Sequence, residues 1–256
     1  IWQRAVDELE EGEHLLVVPA GSAIGPDLEP LLGGVPGLRL VYYDGRGLGR
    51  SDPVRRLDQI GFERDVADLE ALRQHLGAER LSFLGWSYYA GVVAHYAARY
   101  PEHVDRLVLV APIPIAREPY WRRFQAAAGR RLDKDAAQWV DALRRQGIPA
   151  SDSARYCESF FDVYLKVYVD DPDVLDDMRG NPCARPNNNP DVNASQFSYK
   201  IKRLKDWDWR NELANVRART LVIPGLADLI NPRSAEIWSE SLARAEFHPM
   251  DDGSHY

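Results

Sequence analysis

Three residues of this 256-residue chain, Ser87, Asp228 and His255, have the types and the order needed for nucleophilic attack on a carbonyl. A serine hydroxyl is too weakly acidic to attack at neutral pH, so it needs a neutral imidazole to take its proton. A carboxylate beside that imidazole fixes its tautomer and stabilises the imidazolium that forms. Ser87 follows an apolar run and precedes a helical one, so the backbone must reverse around it within two or three residues. A serine at such a junction also reads as an ordinary helix N-cap, and the acid and the histidine give the catalytic reading its weight. Two backbone N–H groups, of Tyr88 and of Gly21, are expected to complete the site as oxyanion donors.

The elements that must position these groups can be read from periodicity. Short apolar runs at 15–18, 38–43, 81–84, 106–111 and 220–225 have the length of strands covered on both faces, and 246–250 reads as a last strand. Between them, helical spacing is present at 62–76, 90–100 and 232–242. This alternation predicts an α/β fold with a mainly parallel central sheet and helices on both faces. Ser87, Asp228 and His255 each follow a strand, so they converge on one sheet edge, outside the carboxyl ends, where such folds bind ligands. His14, His75, His95, His103 and His248 read as ordinary histidines, and Asp251 and Asp252 as solvated loop carboxylates.

From Pro112 to about Asn215 no strand is evident. Helices are expected at 120–129, 136–146 and 153–169, and an irregular loop at 181–190. Residues 113–215 therefore read as a helical cap inserted into a core made of 1–112 and 216–256. Its aromatics, Tyr120, Trp121, Phe160, Phe161, Tyr164 and Tyr168, are expected mostly to pack within the cap, with some facing the cleft. The glycine-rich stretch 44–53 lacks the spacing of a phosphate loop, and Asp44 and Arg46 read as structural turn residues.

Composition excludes several classes. With 45% hydrophobic and 28% charged residues the chain is of ordinary globular type. A net charge of −7 argues against nucleic acid as a partner. No run of about 18 apolar residues is present, so no membrane-spanning helix is expected. Cys157 and Cys183 lack metal-binding or redox spacing; a disulfide between them is left open by the sequence, and reduced thiols in a cytoplasmic protein are the default expectation. The start at Ile1 and a histidine so near the end are read as marks of a segment trimmed from a longer protein.

At this point the residues resemble the α/β-hydrolase family, and within it the proline iminopeptidase-like branch. Asp44-Gly45-Arg46-Gly47-Leu48-Gly49-Arg50-Ser51 is similar to its Asp-x-Arg-Gly-x-Gly-x-Ser loop, and Gly85-Trp86-Ser87-Tyr88 to its nucleophile elbow. The stretches 99–110 and 206–210 are similar to the segments after the elbow and at the end of the lid. Pro19-Ala20-Gly21-Ser22 stands where the branch has His-Gly-Gly-Pro, and Tyr89 where the elbow has a second glycine. The resemblance implies serine hydrolase chemistry without a cofactor, on a small ester, an amide or a short peptide with N-terminal proline.

An N-terminal amine needs inward-facing carboxylates, for which Glu158 and Asp162, one helical turn apart, are the candidates, with Asp170 and Asp171 near a helix end, although surface solvation is the expected fate of all four. Trp86, beside the serine, is a further candidate for substrate contact. An apolar pocket without such carboxylates would favour esters. The competing class is a catalytically silent protein of the same fold that binds a ligand or partner. Dehalogenase and epoxide hydrolase chemistry is disfavoured because it needs an aspartate where Ser87 stands, whereas perhydrolase or carbon–carbon bond hydrolase chemistry is compatible with the same three residues.

Overall fold

The computed structural model describes residues 14–20, 38–177, 181–184 and 186–255. Among them, six strands form one sheet in the order β2-β1-β3-β4-β5-β6. They are β1 (His14–Ala20), β2 (Leu38–Asp44), β3 (Leu81–Trp86), β4 (Val104–Val110), β5 (Arg219–Ile223) and β6 (Ala245–Phe247). Every neighbouring pair is parallel. The apolar runs become central strands because both sheet faces are covered: Val17, Phe83, Leu109 and Val222 are each 0% exposed.

Helix α1 (Phe62–His75) buries Val66 and Leu69. Helix α2 (Tyr88–Arg99) follows β3 after one residue and buries nine of its twelve positions. Four helices of ten or more residues then lie between β4 and β5 among the described residues, namely α3 (Arg122–Arg131), α4 (Lys134–Arg145), α5 (Ser153–Tyr164) and α6 (Pro190–Arg203), with a single helical turn at Ile148–Ser151. Helix α7 (Pro232–Ser241) returns to the sheet and buries Trp238, whose indole N–H donates to the carbonyl of Ile113 at 2.9 Å.

The helix α6 was not expected from the sequence. Asn189 caps it, accepting from the N–H groups of Asp191 and Val192, and Pro190 occupies the first turn. An asparagine followed by proline is a start signal, because proline fixes a helical φ where its missing N–H costs nothing. The expected helix 153–169 is instead α5 followed by a tighter turn over Leu165–Tyr168.

Tyr89 needs the space that a glycine would have left free, and Gly45 supplies it. A Cβ on Gly45 would lie 2.1 Å from the Tyr89 hydroxyl. The 44–51 loop is a structural turn as expected. Asp44 accepts the N–H of Arg50 at 3.1 Å, and Arg46 forms a two-pronged ion pair with Asp68 at 2.6 and 2.5 Å.

Cys157 of α5 and Cys183 form a disulfide, which corrects the expectation of reduced thiols. The fold brings the two sulfurs together across a loop that sequence spacing alone does not close. Helix α5 and the turn Pro182–Ala184 are thereby joined across 26 positions. By loop-closure entropy such a link contributes about 3 kcal/mol. A Cys157→Ala/Cys183→Ala variant is expected to melt at a lower temperature than the oxidised protein, and reductant should lower the melting temperature of the parent alone. Equal melting of parent and variant would show that the link adds no stability.

Candidate active site

Strand β3 ends at Trp86, and Ser87 turns the chain into α2 with φ 53° and ψ −119°. A non-glycine residue in this region costs about 1–3 kcal/mol. That strain is outweighed by the nine residues of α2 buried immediately behind it. Two backbone bonds lock the reversal: the Ser87 N–H donates to Val110 at 3.0 Å, and its carbonyl accepts from Ile113 at 3.0 Å. Ser87 occupies the N-cap position of α2, yet its side chain makes no capping bond. Its hydroxyl instead lies 3.0 Å from Nε2 of His255. Geometry thus separates the two readings of this serine.

On the other side of the ring, Nδ1 of His255 lies 2.8 Å from Oδ2 of Asp228. A carboxylate only accepts, so the proton sits on Nδ1 and Nε2 is left to accept from Ser87. The second carboxylate oxygen, Oδ1, accepts the N–H of Ile230 at 2.9 Å. Both side chains are nearly excluded from solvent, His255 at 3% and Asp228 at 2% exposure. The loops that carry them meet backbone to backbone. Leu226 N–H donates to Met250 and Ala227 N–H to Gly253, each at 3.0 Å. Gly225 permits this approach, since a Cβ there would lie 2.1 Å from the Gly253 carbonyl oxygen.

His255 is held from two further sides. Its N–H donates to the carbonyl of Tyr168 at 3.1 Å, and its own carbonyl accepts from the indole N–H of Trp86 at 3.1 Å. The Trp86 and Tyr168 rings lie on the imidazole with centroids at 5.1 and 5.4 Å. The structure therefore places Trp86 against the histidine. Burial, and secondarily the Asp228 carboxylate, push the Tyr168 phenol above its usual range.

The remaining expected residues divide. The N–H of Tyr88 opens the first turn of α2, where such groups have no partner within the helix and the dipole favours negative charge. Gly21 lies outside the described residues. Glu158 and Asp162, the candidates for binding an amine, are exposed, in line with the expectation of solvation, and Asp162 pairs with Lys166 at 2.8 Å. Helical geometry explains the outcome, because α5 turns Tyr156, Cys157 and Val163 inward and so directs 158 and 162 outward. Asp170 is also exposed and pairs with Arg131 at 3.0 Å.

A cavity of about 440 Å³ lies among the inserted helices. Phe160, Phe161, Tyr164, Tyr168 and Phe197, with Leu165 beside them, give it a largely aromatic lining. Two of these residues reach the site, Tyr168 against His255 and Phe197 against Tyr88 with ring centroids 5.8 Å apart. Phe197 belongs to α6, whose start signals were the only sequence cue to it. Among the described residues, no group of three or more His, Cys, Asp and Glu side chains is arranged to hold a metal ion, and no helix is long and apolar enough to cross a membrane.

The glycine contact gives a sharp expectation. Gly225→Ala must push the acid-bearing and histidine-bearing loops apart, because the nearest atoms are backbone and cannot rotate away. We expect kcat to fall about 100-fold or more, since misplacement of about 1 Å has that effect, with the circular dichroism spectrum of the parent retained. A variant with parental kcat would show that the loop spacing is not critical.

The chain is similar to the proline iminopeptidase of Clostridium botulinum, 22% identical over 220 residues that cover 86% of this chain and 74% of that one. Its similarity to the mouse (Mus musculus) serine hydrolase BPHL is 26% over 254 residues, covering 96% of this chain and 74% of that one. The crystal structure of the Mycobacterium smegmatis proline iminopeptidase superposes with a TM-score of 0.65 at 20% identity, covering 96% of this chain and 84% of that one. Residues 14–256 match the α/β-hydrolase fold family, and the chain belongs to it.

Proposed function

We propose that the protein is a serine hydrolase that cleaves small esters through an acyl-enzyme on Ser87. One observation carries the reading: the Ser87 hydroxyl is bonded to His255 instead of capping its own helix, and His255 is bonded in turn to the buried Asp228. In the first step, Nε2 of His255 takes the Ser87 proton as Oγ attacks the ester carbonyl. The oxyanion accepts from the N–H of Tyr88, with the second donor expected at Gly21. The imidazolium then protonates the departing alcohol, and water, activated by the same imidazole, releases the acid and restores Ser87. Every group in this sequence belongs to the chain, the ester or water.

The inserted helices act as a lid in this reading. Their aromatic cavity offers an apolar ester a place next to Tyr168 and Phe197. Support for esters over free N-termini comes from the carboxylates. Glu158 and Asp162 face outward, and the carboxylate that lines the cavity, Asp191, is already held by Arg144 at 2.7 Å and by the Tyr156 hydroxyl at 2.8 Å. A second reading, an aminopeptidase of proline iminopeptidase type, is favoured by the relatives of that name.

The test compares short-chain 4-nitrophenyl esters with proline-4-nitroanilide, using Ser87→Ala as control. Ester turnover is expected, falling at least about 1000-fold in Ser87→Ala, with little cleavage of the prolyl amide. Efficient, Ser87-dependent cleavage of the amide would replace this proposal by the aminopeptidase. Absence of Ser87-dependent turnover of either would leave a binding protein.

A further inference from the structure

We propose that Lys200, on the inserted helix α6, is a positioning residue that fixes the oxyanion donor by clamping the Tyr88 side chain through Asp65. The inference rests on the hydrolase reading above and assigns to that site a residue from outside the sheet edge.

Tyr88 follows the nucleophile, so its backbone N–H must stay within a few tenths of an ångström of the developing oxyanion to stabilise it. What holds that backbone is the side chain. The Tyr88 hydroxyl donates to Oδ2 of Asp65 at 2.8 Å, and the Lys200 ammonium donates to the same oxygen at 2.7 Å. Lys200 Nζ also lies 5.3 Å from the Tyr88 ring centroid and 6.0 Å from that of Tyr89. Edge-on contacts close the clamp, Phe62 of α1 at 5.9 Å and Phe197 of α6 at 5.8 Å.

Asp65, Lys200 and Tyr88 are 1%, 5% and 7% exposed. A buried ion pair gives up much of its attraction to desolvation, and apolar residues of the same volume would often stabilise the fold as well or better. Its distinctive property is direction, because it orients one hydroxyl. Asp65 Oδ1 is buried with no hydrogen-bond partner among the described residues, so the carboxylate depends on the bonds to Oδ2. Burial pushes the Asp65 carboxyl up, and the Lys200 charge opposes that shift. Without Lys200, the carboxylate keeps the Tyr88 hydroxyl as its one remaining bond and is drawn away from the geometry that clamps it.

The test uses the parent, Ser87→Ala, Lys200→Met and Asp65→Asn/Lys200→Met, with two readouts. The first is kcat and KM for a 4-nitrophenyl ester, and the second is backbone hydrogen exchange of the segment 85–92. In Lys200→Met we expect kcat to fall about ten-fold, less than the loss of a whole oxyanion donor, with KM within about two-fold and faster exchange at the elbow. The double variant should recover most of both, because a neutral amide still accepts from Tyr88 and leaves no lone buried charge. An unchanged kcat, a change confined to KM, or parental exchange at the elbow in Lys200→Met would overturn the proposal. Should Lys200→Met fail to fold, Tyr88→Phe removes one hydroxyl and keeps the ion pair: lower kcat at constant KM supports the clamp, and parental kcat refutes it. If the parent itself shows no Ser87-dependent turnover, the hydrolase reading fails, and exchange at the elbow still decides the clamp.

Discussion

A 3.0 Å hydrogen bond joins Ser87 to His255, residues 168 positions apart in the chain. Much of what surrounds it makes that contact persist. The parallel sheet brings the ends of β3, β5 and β6 to one edge, and the reversal at Ser87 lifts the hydroxyl clear of its own helix. Backbone strain there is tolerable because α2 is nearly all buried, so the helix cannot swing to relieve it. The histidine, on a loop with no regular structure of its own, is held by its backbone N–H donating to the Tyr168 carbonyl and by its carbonyl accepting from the Trp86 indole.

The core of this arrangement was legible in the sequence for a definite reason. Strands buried on both faces read as apolar runs, and Ser87 and Asp228 each follow one, while His255 follows the short edge strand β6. Strand ends shifted by a residue or two, as expected where termini depend on caps and ladders. The inserted helices were less legible. Helix α6 begins in Asn187-Asn188-Asn189-Pro190, which looks like a loop until Asn189 is seen as a cap and Pro190 as the first turn. With that helix went Phe197 and Lys200, and so the whole contact between the insertion and the elbow.

The acidic pair shows a different limit. Glu158 and Asp162 were rightly placed on one helix face, but periodicity gives the angle between residues and not the direction of the face. That direction was set by tertiary packing, which turned Tyr156 and Val163 inward. The disulfide is a similar case, since 26 positions separate two cysteines whose meeting depends on how the chain returns to α5. Tyr89, by contrast, announced a departure from the elbow pattern, and its counterpart was already present in Gly45 of the glycine-rich loop.

The contact between Gly225 and Gly253 has a mechanical meaning. Because the two loops share backbone bonds, the acid and the base form one rigid body anchored to β5 and β6. The nucleophile belongs to a second body, made of β3 and α2. Tyr168, from the helical segment between β4 and β5, meets the first through its bond to His255, and Lys200 meets the second through Asp65 of α1 and Tyr88. A displacement of the insertion is thus felt by both bodies at separate handles, while the Asp228 to His255 spacing is left to the core. The helical segment meets the Asp228 and His255 pair and the turn at Ser87 through different side chains.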